Sequence, residues 1–422
     1  MVSIDVAPEK LGAYRVRGKL GEGGMATVYV GNGPDGSLRA LKVIKVEYAE
    51  NAEFSAMFLD EGKISSRLSH DNIVKIWTLG REGNRLFMVM DLLRGHSLHA
   101  LTWAAKERGI AIGPHLAAYI GGCMASALHH AHEATDEAGQ PLQIIHRDVN
   151  PSNVLVSYDG DVKMIDFGLA KAVNRSSQTA AGILKGKIGY LSPEQVSGKP
   201  LDRRSDLFTL GITLWEVALD RRLFKAETKV ETLRLIHSAE VLDPRALEPE
   251  FPPLFANVIM RLLEKERDDR YPTAKEAGWA LREFLRIERP NVDMKAELAA
   301  LMARVFGDER AQQDAWLEKV ANSRSTGPMN TLRPPVMTRG SFESLPPLPG
   351  TSDPPPLSSL RSMQPSGSLP STRPSQFSSP QANAAAPEQP RRGLWLLIFV
   401  VVLLASAVAA FTLVAQWLQR SQ

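Results

Sequence analysis

Cysteine is nearly absent from this sequence of 422 residues: Cys123 stands alone. One thiol cannot close an internal disulfide, which excludes a disulfide-framed extracellular module and suits a reducing compartment. Lying inside an apolar run, Cys123 reads as a small packed residue. An excess of charge of one sign is also missing. The 50 Lys and Arg against 47 Asp and Glu leave a net charge of +3, too even for the concentrated basic face of a dedicated nucleic-acid binder. The opening MVSIDVAPEKLG lacks the basic-then-apolar order of a secretory signal. No internal repeat is present. His129, His130 and His132 cluster in ALHHAHEA without the Cys or carboxylate pattern of a metal site, and read as a mixture of packed and solvated helix positions.

The chain is longer than one hydrophobic core usually organises, so more than one region is expected. Between residues 14 and 289, periodic apolar segments alternate with short polar turns. YRVRGKL, ATVYVGN and LRALKVI read as consecutive strands, with a turn at Asp35–Ser37. EFSAMFLDEGKISSRLS has helical spacing, its stripe marked by Phe54, Met57, Phe58, Ile64 and Leu68. IVKIWTLG and RLFMVMD are two further strands. Beyond Asp91 the pattern turns helical, as in GPHLAAYIGGCMASALHHAHEA and SDLFTLGITLWEVAL. Residues 290–322 carry more amphipathic helix, either docked on the larger helical region or free.

Five motifs in this stretch carry chemistry. LGEGGMATVY, between two strands, is a Gly-rich turn whose backbone amides can approach phosphates closely because no Cβ intervenes. RALKVI puts Lys42 on the next strand, and Glu61 on the following helix can hold that ammonium in place. IIHRDVNPSNVLVS offers Asp148 as a proton acceptor and Asn153, five residues on, as a metal ligand. MIDFGLA puts Asp166 after a short apolar strand, suited to a phosphate-bridging Mg²⁺. GYLSPEQ closes the segment that follows.

In this order and spacing the set resembles the bacterial branch of the eukaryotic-like Ser/Thr protein kinases over residues 14–289. The resemblance implies an α+β, bilobal protein-kinase fold, with a small β-rich N-lobe at 14–90 and a larger helical C-lobe at 91–289. It implies ATP with Mg²⁺ (or Mn²⁺ in its place) as cofactors and Ser/Thr hydroxyls of proteins as acceptors. By residue, it implies that Gly21, Gly23 and Gly24 cover the phosphates and that Lys42 pairs with Glu61. Asp148 would be the catalytic base, and Asn153 and Asp166 the metal ligands. Leu20, Val28, Ala40 and Leu155 would enclose adenine, with Met90 behind it and the hinge running from Asp91 to Leu93. Glu194 would pair with Arg270, and Asp206 would brace the catalytic loop. Arg147 would receive a phosphate from Ser176, Ser177 or Thr179, and autophosphorylation is expected.

The sequence departs from that family in three places. Ala26 replaces the third glycine of the loop. Asn150 stands where the branch carries a Lys that reaches the γ-phosphate. Lys187, in LKGKIGYLSPE, replaces a threonine that faces that Lys. Lys187 is therefore expected to supply the cation that Asn150 lacks, with Asn150 as its partner. The alternative is a pseudokinase, a membrane-attached binding scaffold.

Residues 323–392 are rich in Pro, Ser, Thr and Gly, and cannot bury enough apolar surface to order themselves. They read as a disordered linker, with Thr326, Thr331 and Thr338 as candidate phosphorylation sites. Residues 393–418 are uncharged and apolar, and about 22 residues at a rise of ~1.5 Å reach roughly 33 Å, enough to span a bilayer core. Arg391 and Arg392 before the span place the kinase side in the cytoplasm, and Trp395 and Trp417 sit at interfacial positions. The expectation is a single-pass protein of the inner membrane, with Ser406 and Ala410 as a small-xxx-small pair that would allow a homodimer.

Overall fold

The computed structural model describes residues 8–24, 26–167 and 188–322, apart from the side chains of Glu53, Met57, Asp60 and Glu61. All of them fall in one compact unit, 1–352. The linker 323–392 and the apolar segment 393–418 lie outside the described residues. No helix among the described residues is long and apolar enough to cross a membrane.

The N-terminal lobe is an antiparallel sheet of six strands in the order β1-β2-β3-β4-β6-β5. These are β1 (Lys10–Leu11), β2 (Tyr14–Glu22), β3 (Ala26–Asn32), β4 (Leu38–Ile44), β5 (Ile76–Glu82) and β6 (Arg85–Asp91). The apolar run that begins at Ile73 enters the sheet only at Ile76. Before that, Val74 N donates to Met164 O at 2.9 Å, which ties the run to the other lobe. Because side chains alternate along a strand, the sheet has two distinct buried faces. Leu41, Val43, Phe87 and Val89 pack with Leu11 on one side. On the other, Ile44 and Met88 meet Phe54 and Phe58. After a single turn, α1 (Val46–Ala49), the latter pair come from α2 (Ala52–Ser65). Asn51 caps α2, its side chain accepting from Phe54 N at 2.9 Å, a contact worth about 1 kcal/mol.

The C-terminal lobe is mostly helical. A small sheet of β7 (Gly95–Ser97), β8 (Val154–Ser157) and β9 (Val162–Met164) sits beside α3 (Leu98–Glu107) and α4 (Gly113–His132). Further along come α5 (Pro193–Val196), α6 (Arg204–Leu219), α7 (Lys229–Ser238), α8 (Pro244–Leu247), α9 (Pro253–Leu262) and α10 (Ala274–Glu288). Every residue of α6 from Ser205 to Leu219 is buried, including the polar Asp206, Thr209, Thr213 and Glu216, so this helix is enclosed all round and forms the centre of the lobe. Cys123 is partly buried in α4, where burial pushes its thiol up to about 11. It is a packed, unreactive residue.

The last element, α11 (Met294–Asn322), docks on both lobes. It is kinked at Phe306, whose backbone leaves helical geometry. Before the kink, Leu298, Leu301, Met302, Val305 and Phe306 join the C-lobe core. Beyond it, Trp316, Leu317 and Val320 are buried against Leu20, Val28, Val30 and Ala40 of the N-lobe sheet.

Candidate active site

The loop His146–Asn153 is held from beneath by one carboxylate. Asp206, in the first turn of α6 and completely buried, accepts from His146 N and Arg147 N, both at 2.8 Å, and from His132 Nε2 at 2.8 Å. Burial pushes the Asp206 carboxyl up, but His132 and the other donors outweigh it and hold it below the usual aspartate range. The ionised carboxylate fixes a backbone that Arg147, at φ 68°, carries through the left-handed region. His146 in turn donates to Ile165 O at 3.0 Å, joining the loop to the strand end that bears Asp166.

Asp148 is gripped by two amides. Asn150 Nδ2 donates to Asp148 O at 2.9 Å and Oδ1 at 2.8 Å. Asn153 Nδ2 donates to the same carbonyl at 2.7 Å and to Oδ2 at 2.9 Å. Asn150 Oδ1 accepts from Ser152 N at 2.9 Å. Both amide hydrogens of Asn150 are therefore committed to Asp148, and each carboxylate oxygen of Asp148 has its own clamp. Sequence reasoning placed Asn150 as a partner for Lys187. Its observed role, orienting Asp148, was accessible from the two-residue spacing but not recognised.

Across the cleft, Lys42 Nζ lies 2.7 Å from both carboxylate oxygens of Asp166. The side chain of Glu61, its expected partner, lies outside the described residues, although the backbone of α2 places residue 61 in the helix facing the sheet. Asp166 adopts φ 62°, and the next residue is pinned by Ser65 Oγ donating to Phe167 O at 2.6 Å. Asn153 and Asp166 offer oxygens of an amide and a carboxylate, a donor set suited to a hard divalent cation that keeps phosphate and water oxygens in its shell. Among the described residues no group of three His, Cys, Asp or Glu could hold a metal.

The Gly-rich turn is the tip of the β2–β3 hairpin. Gly21 pairs with Val28, Glu22 with Thr27, and Gly23 N donates to Ala26 O at 2.8 Å. Ala26 is buried with Ile44, Phe54 and Phe58, so its methyl group fills core space. Leu20, Val28 and Ala40 lie on one buried face of the sheet, with Met90 packed against them, while Leu155 on β8 is half-buried below. Beside Met90 is a small cavity of about 10 Å³ lined by residues that include Leu68, Met88, Asp166 and Phe167. At the hinge, Asp91 N donates to Lys75 O and Asp91 Oδ1 accepts from Trp77 Nε1 at 2.7 Å; Leu93 is half-buried.

The closing motif is built from the same kind of contact. Ser192 caps α5 in a reciprocal box with Gln195, and Gln195 Nε2 donates to Arg147 O at 3.0 Å, a tie that sequence reasoning missed. Arg270, buried, makes a two-pronged pair with Glu194 at 2.8 and 3.0 Å. Its remaining donors reach the carbonyls of Glu264, Lys265 and Arg204. Burial raises the Glu194 carboxyl, and Arg270 with Ser205 more than offsets it, leaving it below the ordinary range. Lys187, Ser176, Ser177 and Thr179 lie outside the described residues.

A bilobal fold with a Gly-rich hairpin, a strand lysine and a clamped loop aspartate between the lobes defines a phosphotransferase-type site. The protein kinase domain model matches residues 14–278, and the chain belongs to that family. Tyrosine-protein kinase MasK of Myxococcus xanthus is 36% identical over 320 residues, 75% of this chain and 49% of that protein. Serine/threonine-protein kinase PrkC of Bacillus subtilis is 33% identical over 267 residues, 63% of this chain and 39% of that protein. The chain thus matches less than half the length of either relative. The crystal structure of the Mycobacterium tuberculosis PknI kinase domain aligns with a TM-score of 0.50 at 25% identity, covering 65% of this chain and 97% of that one.

Proposed function

We propose that this chain is a Ser/Thr protein kinase, moving the γ-phosphoryl group of ATP to protein hydroxyls, and that residues 393–418 tether it to a membrane with the kinase on the cytoplasmic side. The observation that carries the reading is the double clamp on Asp148, which holds its carboxylate in one orientation beside the cleft. A base so held can accept the proton of an acceptor hydroxyl without first reorganising. Bound Mg²⁺ would neutralise charge on the phosphates, and Asn153 and Asp166 are the residues that would hold it. Lys42, already kept in the cleft by Asp166, is placed to pair with a phosphate. Gly21, Gly23 and Gly24 leave the hairpin backbone open to approach it.

Arg147 supports control by phosphorylation. Its Nε is buried and has no hydrogen-bond partner among the described residues, and a phosphate on Ser176, Ser177 or Thr179 would satisfy it. The tether rests on the uncharged run 393–418 and the Arg391-Arg392 pair before it.

A second reading, transfer to tyrosine, is favoured by one comparison: the relative from Myxococcus xanthus at 36% identity carries the name of a tyrosine kinase. The loop HRDVNPSN, which lacks the Ala-Arg pattern of tyrosine-specific relatives, speaks against it. The test is incubation of the purified full-length chain with labelled ATP and Mg²⁺, followed by identification of the labelled amino acid. Phosphoserine or phosphothreonine, reduced about 100-fold or more in Asp148→Asn and Lys42→Met, supports the proposal. Phosphotyrosine alone replaces it with the second reading. Nucleotide binding without any transfer makes the chain a binding scaffold.

A further inference from the structure

The face of the N-lobe sheet that roofs the base slot does not end at the slot. Side chains two residues apart on a strand share a face, so Val30 continues the face of Val28, Leu38 that of Ala40, and Gly18 that of Leu20. Gly18 pairs with Val30, and Val30 with Ala40. These outer positions are covered by α11. Trp316, Leu317 and Val320, exposed by 5%, 7% and 0%, form one buried cluster with Leu20, Val28, Val30 and Ala40, against which Leu38, Met90 and the hinge residue Leu92 also pack. A Cβ placed on Gly18 would fall 2.9 Å from Trp316 Cζ2, so the indole lies directly on the strand backbone there, and only glycine leaves it room.

The other half of the same helix is anchored to the C-lobe. Phe306 stacks on His96 with ring centres 3.9 Å apart. Arg310 pairs with Asp159, and Asp314 with Arg94. One helix, kinked at Phe306, therefore joins the roof of the slot to the lobe that carries its floor, Leu155. The likeness to the Myxococcus xanthus protein covers 75% of the chain, more than residues 14–289 contain, so it runs into this helix. The kinase domain match ends at residue 278 and does not include it.

We propose that α11 is part of the nucleotide site: Trp316, with Leu317 and Val320, walls the outer edge of the base slot and holds the sheet in register above it. The proposal rests on the kinase reading for the identity of the ligand. Trp316 acts through Leu20, Val28 and Ala40 and is a positioning residue. Its loss should weaken nucleotide binding while leaving the machinery at Asp148 in place.

The test uses the full-length chain in detergent and a fluorescent ATP analogue, with the dissociation constant measured alongside kcat and KM for ATP. Trp316→Ala should weaken analogue binding and raise KM at least about fivefold, with kcat changed less than about twofold. Trp316→Phe, which keeps an aromatic plate on Gly18, should stay within about twofold of the parent. Gly18→Val, which displaces the indole without altering α11, should reproduce Trp316→Ala. Trp279→Ala, removing an indole 64% exposed on α10, should change nothing. Unchanged binding in both Trp316→Ala and Gly18→Val overturns the proposal. Tighter binding overturns it too, because α11 would then occlude the slot. A parent that binds the analogue but transfers no phosphate defeats the kinase reading alone, and one that binds no nucleotide defeats both.

Discussion

At Asn150 a neutral amide occupies the place where the resemblance calls for a cation. Its two hydrogens go to the carbonyl and carboxylate of Asp148, and the residue is 1% exposed. Truncating a buried amide that is fully bonded removes two donors at once and takes away one of the two clamps on the carboxylate. Asn150→Ala should therefore lower kcat by about 10- to 100-fold with little change in KM for ATP, since the interaction orients the base and not the nucleotide. Steady-state kinetics of the purified chain check this. We propose separately that Lys187 supplies the missing charge, for which Asn150 Oδ1 retains a lone pair beyond the one used by Ser152 N. In a double-mutant cycle, Lys187→Thr should be damaging alone and largely rescued by adding Asn150→Lys. A change below about twofold in Lys187→Thr, roughly 0.4 kcal/mol of barrier, ends that idea.

Among the elements, α11 has a seat on the C-lobe whose strength depends on pH. His96, on β7, is 2% exposed; it stacks on Phe306, its Nε2 lies 3.0 Å from Tyr158 Oη, and Glu309 approaches it at 3.5 Å. Burial pushes its imidazole down to about 4 from an ordinary 6.5. As pH falls from 6.5 towards 4, the unfolded chain takes up a proton that the folded one refuses, so the stability contributed by the neutral ring is lost across that window. The loss reaches about 2 kcal/mol by pH 5. Thermal melts of the parent and His96→Phe at pH 7 and pH 5 test it: the parent should lose more stability on acidification than the variant. Equal losses would mean that other groups, such as the half-buried His99, whose imidazole is also pushed down to about 4, carry the pH dependence.

The same scale shows what the sequence could and could not disclose. Strands β2, β3 and β4 follow from apolar alternation between turn residues, and the helices of the larger lobe from their spacing, because both signals are local. Asp148, Asn150 and Asn153 are legible for the same reason: their hydrogen bonds close within five residues. The partners of Trp316 are not legible, because the indole sits on Gly18, nearly the whole folded length away, and helical periodicity states that a face is buried without stating against what. Gly18 itself gave no sign, since in a strand a glycine that makes room for a distant ring looks like any other.

For the molecule as a whole, the consequence is that the folded domain does not stop at α10 but includes α11. The match to the family stops at residue 278, and a boundary drawn at residue 289 would cut just before a helix that buries ten residues, among them Leu298, Met302, Phe306, Trp316 and Val320. Removing α11 exposes their partners in both lobes. At roughly 1.5–3 kcal/mol for each large apolar side chain buried, the burial given up is comparable with the 5–15 kcal/mol by which domains are ordinarily stable. A chain ending at Arg289 should therefore be aggregated or unfolded at room temperature. A chain ending at Asn322 should melt cooperatively, within a few degrees of the full-length protein, and bind nucleotide with the same affinity. Calorimetry and size-exclusion chromatography of the two truncations decide it. If the shorter chain is monomeric and melts with the longer one, α11 is an appendage, and the coupling it is argued to provide between roof and floor of the slot is absent.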